Sequence, residues 1–120
     1  MIRTRGLTHV HLAVSDLDRS LRFYTEVFGM EEQFRDGPGL VFLRTPGAED
    51  SITLNHQPDR TGAGSVGIEH IGFRLVDKTD LDDAVRQVEA SGGRLVERGE
   101  HQPGKPFAYV SDPDGYIIEL

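Results

Sequence analysis

The run YVSDPDGYIIEL sets a carboxylate, Glu119, among Ile117, Ile118 and Leu120. On an alternating strand such a group either faces solvent or serves as a ligand, and a ligand needs partners elsewhere in the chain. Cysteine is absent, which excludes thiolate metal sites, thiol nucleophiles and disulfides. Imidazole and carboxylate therefore carry most of the chemistry open to this sequence. Its five histidines are His9, His11, His56, His70 and His101.

The elements that would position them repeat. HVHLAVSDLDRSLRFYTEVFGM from His9 resembles HIGFRLVDKTDLDDAVRQVEASGG from His70. Each copy opens with an apolar strand, Val10, Leu12 and Val14 in one and Ile71, Phe73 and Leu75 in the other. A helix start follows, with Ser15 or Asp16 as the first cap and Thr79 or Asp80 as the second. Leu17, Leu21, Tyr24 and Phe28 recur at helical spacing, as do Leu81, Val85 and Val88. Glycine ends each helix, at Gly29 and at Gly92-Gly93. Three strand-like runs then complete each copy: about 32–35, 40–45 and 51–55 in the first, about 94–98, 107–111 and 116–120 in the second. The pattern predicts α+β architecture in two tandem βαβββ modules, about 5–57 and 68–120, joined by a linker at about 58–67, all in one domain spanning 1–120. Aligning the copies sets His9 over His70 and Thr53 over Glu119.

Composition narrows the partners. A formal charge of −7, with scattered Lys and Arg, disfavours nucleic acid and anionic lipid. No apolar run reaches the ~20 residues a membrane span needs, and the N-terminal stretch has no secretory h-region. A cytoplasmic protein acting on a small molecule is expected.

Two βαβββ modules, with His on each first strand and Glu119 on the last, resemble the vicinal oxygen chelate superfamily, which includes glyoxalase I, extradiol dioxygenases, fosfomycin-modifying enzymes and bleomycin-binding proteins. The resemblance covers essentially the whole chain. It implies a half-open, cup-shaped mixed sheet with helices outside, a homodimer, and a divalent metal held by His9, His70 and Glu119. Two imidazoles and one carboxylate form the facial arrangement that suits Fe(II), with Mn(II), Ni(II) and Zn(II) also compatible. In glyoxalase I a fourth ligand, Glu or Gln, usually occupies the position of Thr53. Threonine is a poor divalent ligand, which counts against an isomerase.

The stretch GEHQPGKPFAYVSDPDGYIIE further resembles the extradiol ring-cleavage signature at Gly99, His101, Tyr109, Asp112, Pro113, Gly115 and Glu119, departing from it at Ala108. This resemblance implies Fe(II)-dependent cleavage of a catechol-type substrate by O2. His56 would be the acid–base group, and His101 and Tyr109 would bind substrate oxygen. His11, on the same strand face as His9, is a further pocket candidate. The rival expectations are a glyoxalase I-like isomerase or lyase and a metal-free drug-binding protein of the bleomycin-resistance type. A fosfomycin-type transferase is disfavoured, because no basic residues follow Glu119 in this sequence.

Overall fold

The computed structural model describes residues 1, 3, 7–60, 68, 70–76 and 81–120. The first module runs β1 (Val10–Val14), α1 (Leu17–Phe28), β2 (Glu31–Asp36), β3 (Leu40–Arg44) and β4 (Ile52–His56), followed by a 3-10 turn at Pro58–Arg60. The second runs β5 (Ile71–Gly72), α2 (Leu81–Ala90), β6 (Arg94–Gln102), β7 (Lys105–Ser111) and β8 (Ile117–Glu119). The rest of the linker, residues 61–67, and the expected caps Thr79 and Asp80 lie outside the described residues.

Two helices and two four-stranded sheets make the α+β architecture expected from the repeat. Strand order is β1-β4-β3-β2 in one sheet and β5-β8-β7-β6 in the other. In each, the first and last strands of the module run parallel and the remaining pairs are antiparallel. Each sheet is therefore mixed.

Local chemistry explains the elements. Asp16, extended at φ −138°, caps α1 by accepting a hydrogen bond from Arg19 N at 3.0 Å. Gly29 ends the helix in the left-handed region at φ 64°, where a side chain would be strained. Leu17, Phe23 and Tyr24 on α1, and Leu81, Val85 and Val88 on α2, are buried. They meet Leu12, Val14, Val41, Leu43 and Leu54 from one sheet and Ala108, Val110 and Ile118 from the other in a single core. Strand alternation sends these residues to the helix side and their neighbours to the outer face.

The modules interlock through α1. Phe28 stacks on Phe73 at 4.2 Å between ring centroids. The Tyr24 hydroxyl donates to Asp112 Oδ2 at 3.0 Å, and the Tyr116 hydroxyl donates to the Ala13 carbonyl at 2.7 Å. Asp114 accepts from Ser15 N at 3.2 Å, Ser15 Oγ at 2.5 Å and Ser20 Oγ at 3.2 Å. Ser15 is thus committed to the other module, which leaves the cap to Asp16. Gly93 lies so close to β7 that a Cβ there would stand 2.3 Å from the Ser111 carbonyl oxygen.

Several strand limits differ from the sequence expectation: β5 ends at Gly72, short of Phe73 and Leu75, and two other shifts move candidate histidines. The Pro103-Gly104 turn, with Gly104 at φ 78°, closes a long hairpin, so His101 lies on β6 and not in a loop. β4 runs on through His56 instead of ending at Asn55. Among the described residues no helix is long and apolar enough to cross a membrane.

Candidate metal centre on the outer sheet faces

The second module's outer face carries the densest chemistry. His70 precedes β5, and Gly72 two residues on pairs with Glu119 of β8, so His70 and Glu119 share a face. Ile118, between Glu119 and the core, is fully buried and holds the strand's orientation. Glu119 is bracketed: His70 Nε2 lies 3.1 Å from Oε2, and His101 Nε2–H donates to Oε1 at 2.5 Å. The carboxylate side chain is 26% exposed, against 34% for His70 and 53% for His101. Tyr109 pairs with Glu119 across the β7–β8 ladder and lies 5.2 Å from the His70 ring. Phe107 fills the space between Tyr109, at 5.1 Å, and His101, on which it stacks at 4.3 Å.

The first module's outer face carries His9 and His11. His9 Nδ1 is bonded to Thr8 Oγ1 at 2.9 Å, and the His9 and His11 rings stand 6.4 Å apart. The Asn55 amide donates to His11 Nε2 at 3.2 Å. Thr53, opposite His11 in the β1–β4 register, is fully buried, and its hydroxyl donates to the Val10 carbonyl at 3.5 Å. It is spent on the backbone of the neighbouring strand β1.

The structure thus brings His70, His101, Tyr109 and Glu119 together and sets His9 on the other sheet. A cavity of about 300 Å³ lies between the modules, lined by Val10, His11 and Ala13 on one side and His70, Ile71 and Ile117 on the other. His56 stands apart from this group. Its strand parity is that of Leu54, and its Nε2–H donates to the Ser15 carbonyl at 3.1 Å. A second cavity, of about 720 Å³, adjoins Glu119 and His101 and is also lined by Arg74, Lys105, Phe73 and Phe107. Sequence reasoning passed over Arg74, although His70, Gly72 and Arg74 fall on one face by the two-residue period of a strand.

The fit to a metal is one of donor type and of one donor pair. Two ligands each about 2.0–2.2 Å from one ion stand roughly 3–3.5 Å apart. His70 Nε2 and Glu119 Oε2 have that separation. Within one chain, the described residues contain no group of three or more His, Asp and Glu that could hold an ion.

Residues 6–120 match the model of the Glyoxalase/Bleomycin resistance protein/Dioxygenase superfamily, and the chain belongs to that family. It is 36% identical, over 95% of its own length and 90% of the relative's, to a lactoylglutathione lyase of Haemophilus influenzae. A probable lactoylglutathione lyase of Vibrio parahaemolyticus is 34% identical over 95% of this chain and 88% of its own. The chain spans only 35% of a probable chloroplastic lactoylglutathione lyase of Arabidopsis thaliana, to which it is 35% identical. In fold it resembles the fosfomycin resistance protein FosX of Listeria monocytogenes, with a TM-score of 0.80 at 22% identity over 98% of this chain and 93% of that one.

These relatives overturn the expectation of extradiol cleavage, and with it the catechol and O2 as substrates. The physical reason is that most of the supposed signature is structural. Gly115 holds the turn at φ 90°. Asp112 accepts from the backbone N–H groups of Asp114 and Tyr116, each at 2.9 Å. Gly99 makes room for Phe107, whose ring would stand 2.9 Å from a Cβ at that position. Such residues report the fold and are silent on the reaction.

Proposed function

We propose that the chain is a metal-dependent lyase of the lactoylglutathione type, isomerising the adduct of an α-ketoaldehyde with glutathione. The observation that carries this reading is the Glu119 carboxylate, bracketed by two imidazoles on an open sheet face, in a chain whose relatives bear that name. His9, His70 and Glu119 are the ligands. His9 of a second copy closes the set over the first copy's second module, because one chain does not assemble three donors among its described residues. The donor set is compatible with Ni(II) or Zn(II), and a redox-neutral isomerisation needs a Lewis acid and no redox-active ion such as Fe(II).

When bound, the metal polarises the substrate oxygens as a Lewis acid. The chain's own residues do the rest. Glu119 carries the proton that moves between the two adjacent carbons, and the Phe107–Tyr109 row limits water at that face. Arg74 and Lys105, lining the adjoining cavity, attract the two carboxylates of glutathione. His56, bonded to Ser15, has no part in the proton transfer.

The test strips the protein of metal, restores Ni(II), Zn(II), Co(II), Mn(II) or Fe(II) singly, and follows thioester formation from methylglyoxal and glutathione. Turnover with Ni(II) or Zn(II) is expected. No thioester with any of the five sinks the reading. Mixing His9→Ala with Glu119→Gln protein should restore part of the activity that each lacks alone, and failure to do so places the ligands within one chain.

A further inference from the structure

His101 has no ligand role in the triad, yet its contact with Glu119 is the shortest polar contact at the site. The two oxygens of Glu119 differ in geometry. Oε2 stands 3.1 Å from His70 Nε2, the spacing of two donors on one ion. Oε1 stands 2.5 Å from His101 Nε2, closer than two ligands of one ion approach each other and on the short side of a charge-assisted hydrogen bond. One edge of the carboxylate suits a metal and the other suits a proton.

An imidazole as exposed as that of His101 would ordinarily sample several rotamers. Here its ring lies on Phe107 with planes only 19° apart. Phe107 is held in turn by Tyr109 on one side and by the bare backbone of Gly99, where a Cβ would meet its ring at 2.9 Å. The chain of contact runs Gly99, Phe107, His101, Glu119.

We infer that His101 is a positioning residue for the metal-binding carboxylate: its Nε2–H holds Oε1, so that Oε2 alone is presented beside His70. The inference rests on the metal reading above and adds to it a residue outside the ligand set. Ligating carboxylates need such outer partners, because a carboxylate bonded on one side only can rotate or bind through both oxygens. Removing the partner weakens metal affinity without removing a ligand.

The experiment titrates Zn(II) by competition with a chelating dye, and Co(II) by its visible absorption, into wild type, His101→Ala, His101→Gln and Glu119→Gln. His101→Ala should weaken Zn(II) binding about 10–100-fold and change the Co(II) bands. His101→Gln, whose amide can still donate, should recover most of the loss, with urea midpoints unmoved throughout. Unchanged affinity in His101→Ala, beside a large loss in Glu119→Gln, overturns the inference and leaves the metal reading standing. A wild type that binds neither ion overturns the metal reading itself, and the inference with it.

Discussion

The two modules share one topology and use it differently. In each, the last strand lies parallel to the first, and the residue two beyond the leading histidine faces the last strand: His11 opposite Thr53, Gly72 opposite Glu119. The slots are equivalent in register. In the first module the slot holds a fully buried hydroxyl turned to the Val10 carbonyl of β1; in the second it holds a partly exposed carboxylate between two imidazoles. The turns before these strands diverge as well. Asp50 closes its turn locally, accepting from Thr45 N at 2.9 Å and Thr45 Oγ1 at 2.7 Å, and is exposed. Asp114 reaches across to α1 of the other module, with its side chain only 3% exposed. One copy uses the slot for packing, while the other holds a carboxylate between two imidazoles and also carries the join.

Substitutions at paired positions should break this asymmetry in a set order. The largest effect falls on the last-strand slot. Glu119→Gln should weaken metal binding by ~100-fold or more, since it removes the charged member of the proposed ligand set, whereas Thr53→Val should leave it unchanged and cost stability under about 1 kcal/mol. Equal losses in the two titrations would put Thr53 in the site. Next come the turns. Asp114→Ala leaves the buried Ser20 hydroxyl without its acceptor and should destabilise by about 3 kcal/mol, against under about 1 kcal/mol for the exposed Asp50→Ala, read as shifts in urea midpoint.

The last prediction concerns protons. Burial pushes the Asp112 carboxyl up from 3.8 to about 6, against the lowering effect of its hydrogen bonds from Tyr116, Tyr24 and Asp114. A raised carboxyl is favoured protonated in the folded state. Its stabilisation is complete below about pH 4 and is lost as pH rises through about 6, a fall of about 3 kcal/mol. Asp112→Asn, neutral throughout and able to keep the turn's acceptor, should flatten that window relative to wild type. A difference between the two proteins that stays constant from pH 4 to 7 would count against it.

Much of the fold was legible because repeat, periodicity and caps agree. Leu12, Leu54 and Ile118 alternate as strands require, and Gly29 marks a helix end that only a left-handed residue could make. His70 and Glu119 could be set together because the second module copies the first. What stayed hidden was contact at long range. Nothing local says that His101 spans to Glu119, 18 residues on, or that Ser15 would leave the cap to Asp16. The expected ring cleavage fails for a related reason. Gly99, Asp112 and Gly115 matched a catalytic signature while serving the hairpin and the turn, so their agreement carried no independent chemical information.

The bond from Ser15 to Asp114 spans 99 positions of the chain. At a synthesis rate of about 5–20 residues per second, α1 leaves the ribosome roughly 5–20 s before its partner turn exists. For that interval the Ser15 and Ser20 hydroxyls await their acceptor, and Phe28 awaits Phe73. The nascent first half is thus an incomplete fold, sticky on its helical side, and a fragment ending at residue 60 should bind a hydrophobic dye that the whole chain excludes.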